Sequence, residues 1–208
     1  MLTGAFCFCK ACFMGRCIVK KAEISQETRF ELAQSLKKWM ARKAFDKITV
    51  REILEDCNVS RATFYYHFED IYALMQWMFQ NELIALLAKS ENCVTWEEGV
   101  LMVMRYVAEN DKVCLCAYNS IGRDELRRYF ASGVQSIMRK FVDSLTEHIA
   151  AKPEDVTFIV DFYTGAFVTV LVQWLLGGVE QTPEQMLERL NVAVHGSIQA
   201  ALERSAAR

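Results

Sequence analysis

Proline is scarce, with two in 208 residues, and glycine reaches only nine, so residues that break helices or form tight turns are few. Histidine is scarcer than most polar types: His67, His148 and His195 are the only three, and they are too dispersed to suggest a triad. Nor is there a glycine-rich phosphate loop, a nucleophile elbow or a helix with paired metal-binding histidines. Nothing in the sequence therefore signals an enzyme, and no metal or cofactor is expected. An excess of one charge is also missing. A formal net charge of −2 excludes a wholly basic protein, but it leaves room for a small basic face on a larger acidic body. Between positions 10 and 47 the bases Lys10, Arg16, Lys20, Lys21, Arg29, Lys37, Lys38, Arg42, Lys43 and Lys47 outnumber the acids Glu23, Glu27, Glu31 and Asp46. The basic end comes first.

The chain is 52% hydrophobic and 24% charged, which suits a globular protein with a full core rather than a disordered one. Eight cysteines could suggest a disulfide framework, but a chain of this length has little need of one, and reduced thiols are the simpler reading. Cys7, Cys9, Cys12 and Cys17 crowd near the start with no histidine nearby and in no common zinc spacing. Lys10 and Arg16 interrupt that segment, so it lacks the apolar core of a secretory signal. It reads as a cysteine-rich tail over residues 1–22, with Met14 as an alternative start. One long apolar stretch, residues 156–179, contains no Lys or Arg. Asp161 and Gln173 lie inside it, Glu154, Asp155 and Glu180 flank it, and no basic anchor follows, so a helix buried inside the protein is expected rather than a membrane span.

Apolar residues recur three and four apart almost throughout. Ser25 is a candidate cap for a first long helix carrying Phe30, Leu32, Ala33, Leu36, Trp39 and Met40. Thr49 with Glu52 makes a capping box for a short helix with Ile53, Leu54 and Cys57, and Asn58 tolerates the left-handed backbone of a tight turn. Ser60 then caps a second short helix through Phe64 and Phe68. A longer helix begins after Asp70. Thr95 with Glu98 caps another, residues 113–118 suit a short helix, and a longer one runs from Leu126 to Ile149. Pro153 and Pro183 open the last two, expected over residues 153–177 and 183–203. Residues 156–164 have strand-forming types, but a lone strand would leave its backbone unpaired. The fold expected is all-α.

Two short capped helices about a tight turn hold the second helix proud of the body, where it can enter a major groove while amides near the caps meet phosphates. In the second helix Arg61, Thr63, Tyr65, Tyr66 and His67 have the reach for phosphates and base edges, while Val59, Phe64 and Phe68 can pack inward. The segment TVREILEDCNVSRATFYYHFEDIYAL, residues 49–74, resembles the helix-turn-helix of the TetR family of regulators. Val59, Ser60, Thr63, Tyr65, His67 and Phe68 fall in the family register, and Phe45, Ile48 and Thr49 match the junction before it. The C-terminal half, with YNSIGRDELRRYF and a W…GG…TPEQ segment, more weakly resembles the branch containing regulators of dihydroxyacetone kinase operons.

The resemblance implies an N-terminal three-helix DNA-binding domain over residues 23–70 and a helical regulatory and dimerisation domain over residues 71–208. It implies a cytoplasmic homodimer, acting as a small-molecule-responsive repressor on a double-stranded DNA operator, with no membrane partner. The DNA-contacting set expected is Thr49, Ser60, Arg61, Ala62, Thr63, Tyr65, Tyr66 and His67. Ser60, Thr63, Tyr65 and His67 would fix the DNA backbone, and Arg61, Ala62 and Tyr66 would face base edges. A surplus of large side chains suggests an effector pocket from Trp77, Met102, Tyr106, Tyr118, Phe162 and Phe167, with Asn119 or Asp161 as polar anchors. Three positions depart from the family pattern: Asn58 replaces the turn glycine, Leu54 a small residue where the short helices cross, and Ile71 a phosphate-binding lysine. Those departures keep a competing reading open, a helical adaptor acting through protein contacts. A thiol-based redox regulator is a third reading, against which Cys114 and Cys116 suit packing more readily than bridging.

Overall fold

The computed structural model describes residues 10–90, 95–121, 123–194 and 196–208. Among them no strand occurs, and the helices run α1 (Lys10–Met40), α2 (Val50–Cys57), α3 (Arg61–His67), α4 (Ile71–Ser90), α5 (Trp96–Glu109), α6 (Asp111–Ile121), α7 (Arg123–Thr146), α8 (Pro153–Leu176), α9 (Pro183–Val194) and α10 (Ser197–Ala206). A single 3-10 turn, Phe45–Lys47, joins α1 to α2.

α1 is longer than its sequence suggests. It passes through Ser25, which lies inside the helix rather than at its cap, and through the boundary expected after residue 22. No proline interrupts residues 10–24, and Ala, Lys, Met and Glu there are good helix formers, so serine is carried along. Cys7 and Cys9 lie outside the described residues. The buried face of α1 is Leu32, Ala33, Leu36 and Met40, which meets Ile53 of α2, Phe64 of α3 and Leu74, Met75 and Met78 of α4 in one core.

α4 links the two halves. The Asp70 carboxylate accepts from the Ala73 N–H at 2.8 Å and starts the helix at the expected place. Helices α1, α5 and α7 all pack on α4, which is why apolar residues occur all round it. The core that begins at Leu32 therefore continues without a break to Leu175 in α8. A second cluster, with Met138, Val142, Val156, Ile159, Val160, Ile198 and Leu202, closes the far end between α7, α8 and α10.

The apolar stretch 156–179 is accounted for by α8, the one described helix long and apolar enough to cross a membrane by length and composition. One face, including Val160, Phe167, Val168, Leu171 and Leu175, is buried against the protein. Its other face leaves Phe158 at 68% and Phe162 at 60% exposure, their rings stacked at 6.3 Å. Gly178, at φ +80°, turns the chain out of α8, and the buried Trp174 donates from Nε1 to the Gln181 carbonyl at 3.0 Å to hold the loop. Thr182 and Gln185 form the expected box at the start of α9.

The helix expected over 183–203 is broken into α9 and α10. Gly196 adopts φ +71° between them, a left-handed conformation that ends a helix. α6 is longer than the expected 113–118: it runs from Asp111 to Ile121, its first turn closed by the Cys114 N–H on the Asn110 carbonyl at 2.9 Å. Cys57, Cys114 and Cys116 are free thiols, and Cys114 and Cys116 are both buried. Burial, reinforced by the nearby Glu82 charge, pushes the Cys114 thiol up to about 12. A thiol so seldom ionised is a poor nucleophile, which favours packing over redox chemistry.

Candidate nucleic-acid interface

Two local hydrogen-bond motifs place the recognition helix. Thr49 is the N-cap of α2: its hydroxyl accepts the Glu52 N–H at 3.4 Å, and the Glu52 carboxylate accepts the Thr49 N–H at 2.9 Å. Lys43 binds both oxygens of that carboxylate, at 2.6 and 2.7 Å. These donors, Lys43 first and then the Thr49 N–H and hydroxyl, bring the Glu52 carboxyl down to about 2. α2 ends at Asn58, with φ 52° and ψ 41°. Asparagine takes the left-handed turn for which glycine is usual because its short amide reduces the cost of that conformation.

Ser60 then caps α3, accepting the Thr63 N–H at 3.1 Å, and its hydroxyl meets that of Thr63 at 2.8 Å. Phe64 is completely buried, as is Ile53 of α2, so the two short helices are pinned through their inner faces. The outer face of α3 is left to solvent: Ser60, Arg61 and Ala62 are exposed, Tyr65 is 52% and Tyr66 76% exposed, and Thr63 and His67 are half-buried. Thr49 is exposed as well, although its hydroxyl serves the capping box. Of the eight residues named from the sequence, six are exposed and Thr63 and His67 are half-buried. Leu54 is half-buried and joins the core periphery, so the larger residue at the helix crossing is accommodated.

Several cations near this surface already have acidic partners. Lys38 pairs with Asp56 at 2.7 Å, Lys43 with Glu52, Lys47 with Asp46 at 3.3 Å and Arg51 with Glu55 at 2.6 Å. Arg29, on α1, does something different. Its Nε–H donates to Nδ1 of His67 at 3.4 Å. Burial and this guanidinium hold the His67 imidazole below its usual range. In the sequence Arg29 was one base among many; the two residues are 38 positions apart, and no local pattern announces the pair.

The proposed effector residues do not converge in the same way. Asn119, Asp161 and Phe162 are exposed, and Asp161 accepts from Gln135 at 2.8 Å on the outside of α8. Trp77 packs edge-on to Phe68 at 5.8 Å, and the Tyr106 hydroxyl donates to Glu82. Met102 and Tyr118 are half-buried on α5 and α6. Phe167 is buried, beside a gap of about 10 Å³ bounded by Trp96, Val103, Val134 and Met138, which is room for one water at most. A larger open cleft of about 560 Å³ lies elsewhere, between the end of α8 and α9, lined by Gln173, Trp174, Gln181, Met186, Arg189 and Leu190. The sequence signal for that cleft was the glycine pair and Pro183 that separate the two helices. Among the described residues no group of three His, Cys, Asp or Glu side chains is placed to hold a metal.

A helix-turn-helix carried by an N-terminal helical unit, fused through α4 to a larger helical body, defines an all-α DNA-binding regulator class. Residues 37–77 match the bacterial regulatory proteins of the TetR family, and residues 94–196 match a TetR-type transcriptional regulator C-terminal region. The chain belongs to the TetR family of transcriptional regulators. Over 92 residues it is 29% identical to the HTH-type dhaKLM operon transcriptional activator DhaS of Lactococcus lactis, a match covering 44% of this chain and 48% of that one. The chain thus spans about half the length of that curated relative. Its fold is similar to the solved dihydroxyacetone kinase operon activator DhaS, at TM-score 0.72 and 18% identity, covering 83% of this chain and 97% of that one. It is also similar to a TetR transcriptional regulator from Streptococcus agalactiae, at TM-score 0.57 and 24% identity, covering 85% and 98%.

Proposed function

We propose that this protein is a cytoplasmic, homodimeric regulator that binds a roughly palindromic DNA operator, with residues 60–67 of each subunit entering successive major grooves. The observation that carries this reading is the outward surface of α3, where Arg61, Tyr65 and Tyr66 are exposed while Phe64 anchors the helix from behind. Arg61, Ala62 and Tyr66 face base edges; Ser60, Thr63, Tyr65, His67 and Thr49 hold the phosphate backbone. Dimerisation uses the outer face of α8 together with α9: Phe158 and Phe162 on one and Val192, 92% exposed, on the other are large apolar groups in water. A second copy would bury them in a four-helix seam and set the spacing of the two reading helices.

A small-molecule effector remains part of this proposal, and the cleft beside Trp174 offers more room than the gap beside Phe167. Repression is the outcome that the family resemblance implies. Activation is what the name of the Lactococcus protein carries. Selection of bound fragments from a genomic library, followed by a reporter fused to the recovered promoter, tests the whole reading. Enrichment of a palindromic site and a change in reporter output on deleting the regulator are expected; recovery of random fragments would overturn sequence-specific binding and favour the adaptor reading.

A further inference from the structure

We propose that Arg29 is a positioning residue for DNA binding: its Nε–H engages Nδ1 of His67 and so holds the imidazole as the neutral tautomer whose remaining donor is Nε2–H. This rests on the DNA-binding reading for its consequence, but the tautomer itself is a property of the free protein.

Valence sets the tautomer. A neutral imidazole carries one N–H and one bare nitrogen, and a guanidinium can only donate. When Arg29 donates to Nδ1, that nitrogen must be bare, so the proton sits on Nε2. The alternative tautomer would set two N–H groups against each other, and the imidazolium would also place two positive charges side by side. The ring is flanked within its own segment by Tyr66, centroid 4.9 Å away, and by Phe68 at 6.3 Å. The charged group acting on it from another helix is Arg29 of α1. Half-burial of His67 adds to the preference for the neutral form.

The arrangement gives α3 a donor of fixed identity at its C-terminal end, next to the exposed Tyr65 and Tyr66. A directed N–H needs no change of protonation to meet a phosphate oxygen. It also ties the reading helix to α1 at a second point besides the buried Phe64, so His67 does not rotate freely when DNA is absent. Arg29 thereby acts through His67.

Imidazole nitrogen NMR on the full-length homodimer is the test, with His67→Gln identifying the His67 signals. In wild type the Nε2–H tautomer should dominate and the titration midpoint should lie below the ordinary value of about 6.5. Arg29→Ala should mix the tautomers and raise the midpoint. Arg29→Gln, which removes the charge and substitutes an amide that both donates and accepts, should likewise raise the midpoint and relax the tautomer preference. On the same samples, wild-type operator affinity should change less between pH 6 and 8 than that of Arg29→Ala, which should bind on the order of tenfold more weakly at pH 8 and recover part of that at pH 6 as His67 gains charge. A wild-type His67 in the Nδ1–H form, or a tautomer and midpoint unmoved by Arg29→Ala, would overturn the proposal. Intact tautomer behaviour in a protein that binds no DNA at any pH would instead overturn the function on which its consequence rests.

Discussion

Lys37 of α1 and Glu82 of α4 meet at 2.6 Å, and the same Glu82 carboxylate accepts the Tyr106 hydroxyl of α5. Their side chains keep only 22% and 17% exposure, and the Lys37 ammonium also lies 5.6 Å from the centre of the Tyr106 ring. One carboxylate therefore joins the DNA-binding unit to the body of the protein. Burial, together with the charge of Glu82, pushes the Tyr106 hydroxyl well above the usual phenol range, so it remains a donor at any physiological pH. Glu82→Leu should leave the Lys37 charge without its partner and destabilise the fold by roughly 1–3 kcal/mol. Tyr106→Phe should cost less, about 1 kcal/mol. Thermal unfolding of Glu82→Leu, Tyr106→Phe, Lys37→Met and the Lys37→Met/Glu82→Leu double variant checks this. The double variant should be less impaired than the sum of its parts.

Glu52 gives a pH prediction. Its folded-state pKa, about 2, lies below the ordinary 4.5, so its contribution is fully present above 4.5 and is lost as pH falls toward 2. Wild type should therefore lose stability between about pH 4.5 and 2 more steeply than Glu52→Gln, which carries no titrating group there. Acid titrations of unfolding midpoint for the two proteins decide it; parallel curves would deny the Lys43 and Thr49 contacts their role.

The turn at Asn58 makes a different demand. Its φ of 52° is unfavourable for residues with an ordinary side chain. Asn58→Ala should destabilise by about 1 kcal/mol, while Asn58→Gly should be neutral or slightly stabilising. Denaturant melts of both variants test whether the departure from glycine is a mild compromise.

The exposed Phe158–Phe162 stack predicts the assembly. Phe162→Asp places a charge in the proposed seam and should shift the protein toward monomer without unfolding it, because the wild-type side chain is already 60% exposed to water in the single chain. Sedimentation at micromolar concentration should find wild type dimeric and the variant largely monomeric. A monomeric wild type would remove the seam.

The helix-turn-helix was legible because each of its signals is local. Thr49 with Glu52, Asn58, and Ser60 with Thr63 are contacts between residues three apart or one residue's own backbone angle, and each forms as its residue type suggests. Helix ends set by competition with neighbouring residues were less legible. Ser25 has a capping side chain, but the residues before it also favour helix, and continuity prevailed. At Gly196 the apolar spacing from Val194 to Ile198 and Leu202 concealed a break that one backbone angle makes. The effector residues failed to converge because an aromatic surplus fits mutual packing as well as a lined cavity: Trp77 finds Phe68, and Phe162 finds Phe158. Arg29 with His67, and Lys37 with Glu82, were invisible because only the folded arrangement brings residues so distant in sequence together.

The most direct test of the central claim is operator binding by wild type and Arg61→Ala at two salt concentrations, using a series of sites with single base-pair changes. Wild type should prefer its selected site over scrambled DNA, with affinity falling as salt rises. Arg61→Ala should relax the preference at one base pair in each half-site, costing about 1–3 kcal/mol there. Tyr66, 76% exposed on the same helix, should remain available to the other base edges. A folded wild type that binds all sequences equally, or an Arg61→Ala variant unchanged in both affinity and preference, would contradict the assignment of α3 as the reading helix.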